Sequence, residues 1–305
     1  MKTFNRDFLK LRRKYLDFIN KQEVFGEPFY NKIGQLNKFY LPICNSIFES
    51  YKLIKSPAII GLSGGQGSGK TTIAKILKII LKAKYNLNVI SFSIDDFYLT
   101  LKERQNLSKK IHKLLLIRGV PGTHDTNLLK KTFNLLCKKK FKPFFLPKFD
   151  KASDDRFPKK KWKKIKLKPD IIIFEGWCVG AKHQSNNSLK KSLNFLEKKH
   201  DKKLIWRKKV NNELKNSYES IFKLIDKMIY LQVPNFQYVY KWRLLQEKKL
   251  KLISDKKKIM TNKQVREFVM FYERITKQMI KDFKTKANIL IKLDKKHRLN
   301  AIRFN

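Results

Sequence analysis

Acidic residues are in short supply. Only 25 Asp and Glu stand against 71 Lys and Arg in 305 residues, a formal net charge of +46. Cysteine is scarcer still: Cys44, Cys137 and Cys178 lie far apart and form no C-x-x-C pair. That excludes a disulfide framework or a cysteine zinc site and suits a reducing, cytoplasmic setting. No apolar run approaches the roughly 18–20 residues that span a bilayer, so no membrane span is expected. The first eight residues carry charges where a secretory leader would place its apolar core, so no leader is expected either. There is no internal repeat.

What is present suffices for a folded protein. Hydrophobic residues make up 42% and aromatics 12%, enough for a packed core, so disorder along the whole chain is excluded despite the charge. The length allows one large domain or two small ones. The charge invites a nucleic-acid partner, but lysine supplies nearly all of it. Arginine, the better bidentate reader of phosphates and bases, numbers about a dozen. The lysines also run from end to end beside Ile, Asn and Phe, which share A/T-rich codons. We therefore read the charge as compositional background and expect neither a nucleic-acid nor a membrane partner.

Periodicity predicts an α/β chain. Residues 1–55 read as a helical extension, with Phe8, Leu9, Leu11, Tyr15, Leu16, Phe18 and Ile19 on one face. Residues 56–305 carry five short apolar runs, at 58–62, 88–94, 170–174, 227–233 and 288–293, separated by helical patterns. Strands alternating with helices argue for a parallel sheet covered on both faces, a three-layer α/β/α architecture with five mainly parallel strands. Within this domain 101–170 is expected to hold the acceptor site and 234–285 to form a helical lid, while 182–212 reads as an irregular polar excursion.

The chemistry begins after the first strand. Gly64, Gly65, Gln66, Gly67, Ser68, Gly69, Lys70 and Thr71 match G-x-x-x-x-G-K-[ST] between a strand and a helix, with Thr72 next in line. Small residues let consecutive backbone N–H groups curl around a polyphosphate, and the helix that follows aims its positive end at it. Lys70 is expected to bridge phosphates and Thr71 to ligate Mg²⁺. The second strand ends at Asp95 and Asp96, the third at Glu175. Carboxylates at the carboxyl ends of neighbouring strands face the phosphate loop, where one can take a hydroxyl proton and another can serve the metal. Asp95 is the expected base, and Thr71, Asp95 and Glu175 are the candidate metal ligands. No N-K-x-D motif supports a GTPase and no D-E-x-[HD] box a helicase.

Ser93-Ile94-Asp95-Asp96-Phe97-Tyr98 resembles the S-x-D-x-F-Y segment of the phosphoribulokinase, uridine kinase and pantothenate kinase group. The fuller set resembles D-glycerate 3-kinase and its kinase-like relatives. It comprises 61–72, 95–100, Arg118-Gly119-Val120-Pro121-Gly122-Thr123-His124-Asp125, Pro147-Lys148-Phe149-Asp150-Lys151, Phe174-Glu175-Gly176-Trp177 and 239–247. The stretches follow the family's order over about residues 35–300. Two departures stand out: Phe149 replaces the family's usual tyrosine, and the loop 152–156 is shorter than usual. The resemblance implies an ATP- and Mg²⁺-dependent P-loop kinase acting on D-glycerate, with Lys70, Asp95 and Glu175 as its catalytic set. Asp96, Tyr98, Arg118, His124, Asp125, Lys148, Arg156 and Arg243 are then candidates for the acceptor pocket, where a guanidinium suits a carboxylate. A kinase for a pantothenate-, uridine- or sugar-like alcohol is the alternative, and a basic nucleic-acid ATPase stands behind it. Asp294–Arg298, after the fifth strand, is expected near the adenine.

Overall fold

Each of the five apolar runs forms a strand. The computed structural model describes residues 2–23, 29–54, 56–253 and 259–305. The parallel strands of its central sheet are β1 (Ala58–Gly64), β2 (Val89–Ser93), β3 (Ile171–Gly176), β4 (Lys227–Gln232) and β5 (Ile289–Leu293). A sixth, β6 (Leu299–Phe304), returns antiparallel to β5, giving the order β6-β5-β4-β1-β3-β2. The sequence predicts five strands and not this one. It is an edge strand, half exposed and interrupted by Asn300 and Arg303, so it presents no continuous apolar run.

Alternation along the central strands explains the two covered faces. Ile172, Phe174, Tyr230 and Leu290 enter one core, while Ile171, Ile173, Ile229, Leu231, Ile289 and Ile291 enter the other. The main helices are α1 (Lys2–Gln22), α2 (Leu41–Leu53), α3 (Lys70–Tyr85), α4 (Leu101–Lys110), α5 (Thr126–Cys137), α6 (Phe236–Ile253) and α7 (Asn262–Lys286). α5 and α7 cover the first face through Leu129, Phe133, Tyr272 and Met279. The second is covered by α3 through Ile73, Ile76, Leu77 and Ile80, with α2 and α1 beside it. In α1 the buried stripe is Leu11, Tyr15 and Ile19, whereas Phe8 and Leu9 stay exposed. Each fully buried aliphatic side chain stabilises this arrangement by about 1.5–3 kcal/mol. The boundary expected at residue 55 falls outside the described residues.

The stretch 182–212 departs from its reading as irregular. It contains the short helices Asn186–Lys190, Phe195–His200 and Ile205–Glu213. Their anchor is a buried charge network: Arg207 donates to Asp201 at 2.8 Å and pairs with Glu197, which Arg274 of α7 also grips through both carboxylate oxygens. A tertiary network of this kind leaves no periodic trace in a lysine- and asparagine-rich segment. Among the described residues no helix is long and apolar enough to cross a membrane.

Candidate active site

Register brings the chemistry to one edge. Leu62 of β1 pairs with Glu175 of β3, and Ser93 of β2 pairs with Glu175 on its other side. The loops leaving β1, β2 and β3 therefore emerge side by side at the carboxyl end of the sheet, where α/β proteins collect their ligands.

The phosphate loop needs its glycines. Gly67 and Gly69 adopt φ of 76° and 88°, and a Cβ on Gly67 would meet Trp242 of α6 at 2.9 Å. Gly65 is equally tight against Val239. α3 then starts at Lys70, directing its first-turn N–H groups toward the loop. The Lys70 ammonium donates to the Gly64 and Gly65 carbonyls, both at 3.0 Å. Burial draws it below the usual lysine range, with the Glu175 and Asp95 carboxylates opposing. Two buried polar atoms of the loop, Gln66 Oε1 and Ser68 Oγ, have no hydrogen-bond partner among the described residues. Orphaned polar groups in a glycine cradle at a helix N-terminus fit a polyphosphate. The turn after β5 arrives here as well: the His297 ring packs on Trp242 with centroids 4.3 Å apart.

Glu175 is 6% exposed and accepts from the Thr71 hydroxyl at 2.8 Å. Burial raises its carboxyl, against the pull of Lys70. Among the described residues no group of three or more His, Cys, Asp or Glu forms a metal cage. A hydroxyl and a carboxylate side by side nevertheless match the sparse protein contribution that Mg²⁺ takes alongside phosphates and water.

Asp95 stands apart from Asp96. Ser93 caps a short 3₁₀ turn at Ile94–Phe97, and Asp96 closes the capping box by accepting from the Ser93 N–H. Asp96 is thereby engaged as a cap, its carboxyl raised mainly by burial. Asp95 accepts instead from the Tyr98 hydroxyl at 2.8 Å and the Lys151 ammonium at 3.0 Å. Burial alone would raise its carboxyl, but Lys151 and Tyr98 together bring it down to about 2.

The R-G-x-P-G-T-H-D stretch runs alongside. Leu99 N–H donates to Thr123 and Asp125 N–H to Phe97, holding Tyr98 opposite His124 with their rings stacked at 4.5 Å. Trp177, of the E-G-W stretch, donates to the Gly119 carbonyl at 2.9 Å, so the end of β3 holds this turn in place. His124 is buried, with Nδ1 at 2.6 Å from the Tyr218 hydroxyl. Gly122 N–H donates to that same oxygen, and among the described residues Nε2 has no partner. Burial lowers this histidine to about 4.

The other expected acceptor residues divide. Asp125 caps α5 and receives Arg156 at 3.1 Å, while Arg156 also donates to the Tyr98 carbonyl. Arg118 is paired with Asp154 and lies over the Phe149 ring. Phe149 in turn meets Tyr98 edge-on at 5.2 Å, packing without a tyrosine hydroxyl. Lys148 is exposed over Phe157, and Arg243 pairs with Glu247 along α6 at 2.5 Å. Among the described residues neither is ion-paired or hydrogen-bonded to Lys70, Asp95 or Glu175. Lys151 was not among the sequence-predicted site residues, since nothing separates one lysine from the others in this composition. Its only signal is its place at the end of the Pro147–Lys151 stretch.

No protein-family model matches the chain. It is 37% identical over 224 residues to the uncharacterized kinase mug58 of Schizosaccharomyces pombe, covering 71% of this chain and 78% of that protein. It is 31% identical over 224 residues to the chloroplastic D-glycerate 3-kinase of Arabidopsis thaliana, covering 71% of this chain but 46% of the plant protein, about half its length. The solved D-glycerate 3-kinase from Cryptococcus neoformans superposes with a TM-score of 0.74 at 24% identity, over 87% of this chain and 99% of that one, and shows the same fold. A phosphate loop with carboxylates at the neighbouring strand ends, in a chain this similar to kinases over most of its length, makes it a phosphotransferase with an alcohol acceptor: it belongs to the P-loop kinase family of D-glycerate 3-kinase and its uridine and pantothenate kinase relatives.

Proposed function

We propose that this kinase uses ATP and Mg²⁺ to phosphorylate the primary hydroxyl of D-glycerate, giving 3-phosphoglycerate and ADP. The observation that carries the reading is Asp95, a carboxylate at the end of β2 beside the phosphate loop, bordered by basic side chains. A carboxylate there receives the hydroxyl proton as the new O–P bond forms and the bond from the γ-phosphorus to its bridging oxygen breaks. Lys70 offsets charge on the phosphates, and Thr71 and Glu175 are the residues that would hold the metal. When bound, Mg²⁺ supplies further neutralisation of phosphate oxygens. The names of the plant and fungal relatives support glycerate as acceptor.

The regional roles follow from what each segment contributes. We read 101–170 as the acceptor segment because Arg118, His124, Lys151 and Arg156 all come from it. We read 234–285 as the lid because Val239 and Trp242 reach the phosphate loop. We read 1–55 as an extension because Leu11, Tyr15 and Ile19 of α1 enter the core that α3 forms with the sheet. The three cysteines are free and none is exposed, which supports a cytoplasmic enzyme.

Coupled ADP-release assays across D-glycerate, pantothenate and uridine test the reading. Stimulation by D-glycerate is expected. A response to another acceptor with none to glycerate overturns the substrate, and stimulation by RNA or DNA that fades with salt points instead to a nucleic-acid ATPase.

A further inference from the structure

Every arginine expected to meet the acceptor's carboxylate already has a partner: Arg118 holds Asp154, Arg156 holds Asp125, and Arg243 holds Glu247. Lys151 differs in that its partner is the base itself, at 3.0 Å. Its perch is fixed and its side chain is not. It sits at the head of a turn between the paired strands Phe149–Asp150 and Asp155–Arg156. Asp150 closes that turn by accepting from Ala152 N–H. The fully buried Arg104 donates to the Asp154 carbonyl at 2.6 Å and pairs with its carboxylate at 3.1 Å, and Leu101 N–H donates to Asp155. Arg118 reaches the Lys151 carbonyl. The lysine side chain, by contrast, is 64% exposed. With its side chain that open, the ammonium is free to turn toward a second anion beside Asp95.

We propose that Lys151 determines specificity for an anionic alcohol: its ammonium passes from Asp95 to the acceptor's carboxylate, freeing a base oxygen for the hydroxyl. This rests on the kinase reading above and deepens it. Asp95 is engaged on both oxygens, one by Tyr98 and one by Lys151, and the ammonium lowers the basicity of the oxygen it holds, so that oxygen accepts a proton better once the lysine has moved. A carboxylate on the acceptor provides that exchange without leaving a cation unpaired. In glycerate the carboxylate and the reacting hydroxyl are the two ends of a three-carbon chain, so one ammonium beside the base serves both. A neutral alcohol offers no exchange partner and leaves the ammonium on Asp95, which stays the weaker base.

The test compares each anionic alcohol with its neutral counterpart, D-glycerate against glycerol and pantothenate against panthenol, using the full chain with Mg-ATP. The wild type should favour the anionic member. Lys151→Met should lower kcat/KM for that member by about 10–100-fold, the cost of a charge-assisted contact, and shrink the anionic-to-neutral ratio. Lys151→Arg should restore most of the ratio. Equal losses on both members of a pair, or an intact ratio in Lys151→Met, overturn the assignment, as does a wild type that favours neutral alcohols or uses no anionic one. A wild type that ignores glycerate but favours pantothenate over panthenol removes the glycerate reading and leaves the role of Lys151 to be decided by the same variants.

Discussion

The Thr71 hydroxyl donates to Glu175 at 2.8 Å, joining the first turn of α3 to the end of β3. Replacing Glu175 by Gln keeps an acceptor for Thr71 and the shape of the site while removing the charge. Mg²⁺ affinity should fall about 10–100-fold, read as a higher Mg²⁺ concentration for half-maximal ADP release. An unchanged Mg²⁺ titration would remove Glu175 from the metal's surroundings.

His124 makes stability depend on pH. Its folded value is held to about 4 by burial, with Asp95 opposing, against 6.5 for the free side chain. Between those values the unfolded chain takes up a proton that the folded chain does not. The stabilisation is therefore complete above pH 6.5 and is lost as pH falls toward 4, by about 3 kcal/mol in all. Urea unfolding at pH 7.5 and 5 should show a steeper loss in the wild type than in His124→Gln. Parallel losses in the two proteins would contradict the buried, neutral imidazole.

The parts of this molecule that were legible in the sequence are those written in local pattern. The run 58–62 followed by Gly64–Thr71 announces a strand, a turn and a helix, because backbone positions such as Gly67 admit only glycine comfortably. Asp95 was legible because it ends an apolar strand. Lys151 and Arg104 were not: their significance comes from partners 56 and 50 residues away, Asp95 and Asp154, and no periodicity encodes such a pairing. The same holds for Asp201, Glu197 and Arg207, which give order to a segment that reads as a loop.

That network should dominate the stability of its region. The Arg207, Asp201 and Glu197 side chains are each about 1% exposed or less, so Arg207→Met strands Asp201 without its cation. The loss should be about 3–5 kcal/mol in urea unfolding. Lys52→Ala, which breaks an exposed pair with Glu49, should cost at most about 0.5 kcal/mol. Comparable effects from the two variants would mean that water reaches the Arg207 cluster.

Gly67 joins the phosphate loop to α6, and an alanine there faces two penalties. Its φ of 76° lies in the left-handed region, which costs an L-residue about 1–2 kcal/mol. Its Cβ would also stand 2.9 Å from Trp242 Cβ, an atom with no free torsion to move it away. The loop must shift, and with it the N–H groups that would hold the phosphates. Gly67→Ala should therefore weaken ATP binding by at least about 10-fold, the equivalent of the left-handed strain alone. Trp242 reports the same event, since its indole sits against the loop and its fluorescence should change on ATP addition in the wild type and respond only at higher ATP in the variant. Pairing Gly67→Ala with Trp242→Gly, which removes the Cβ that alanine would keep, separates the causes: partial recovery of ATP affinity identifies the steric contact, and no recovery identifies the backbone. Wild-type ATP affinity in Gly67→Ala would show that this loop does not cradle the phosphates.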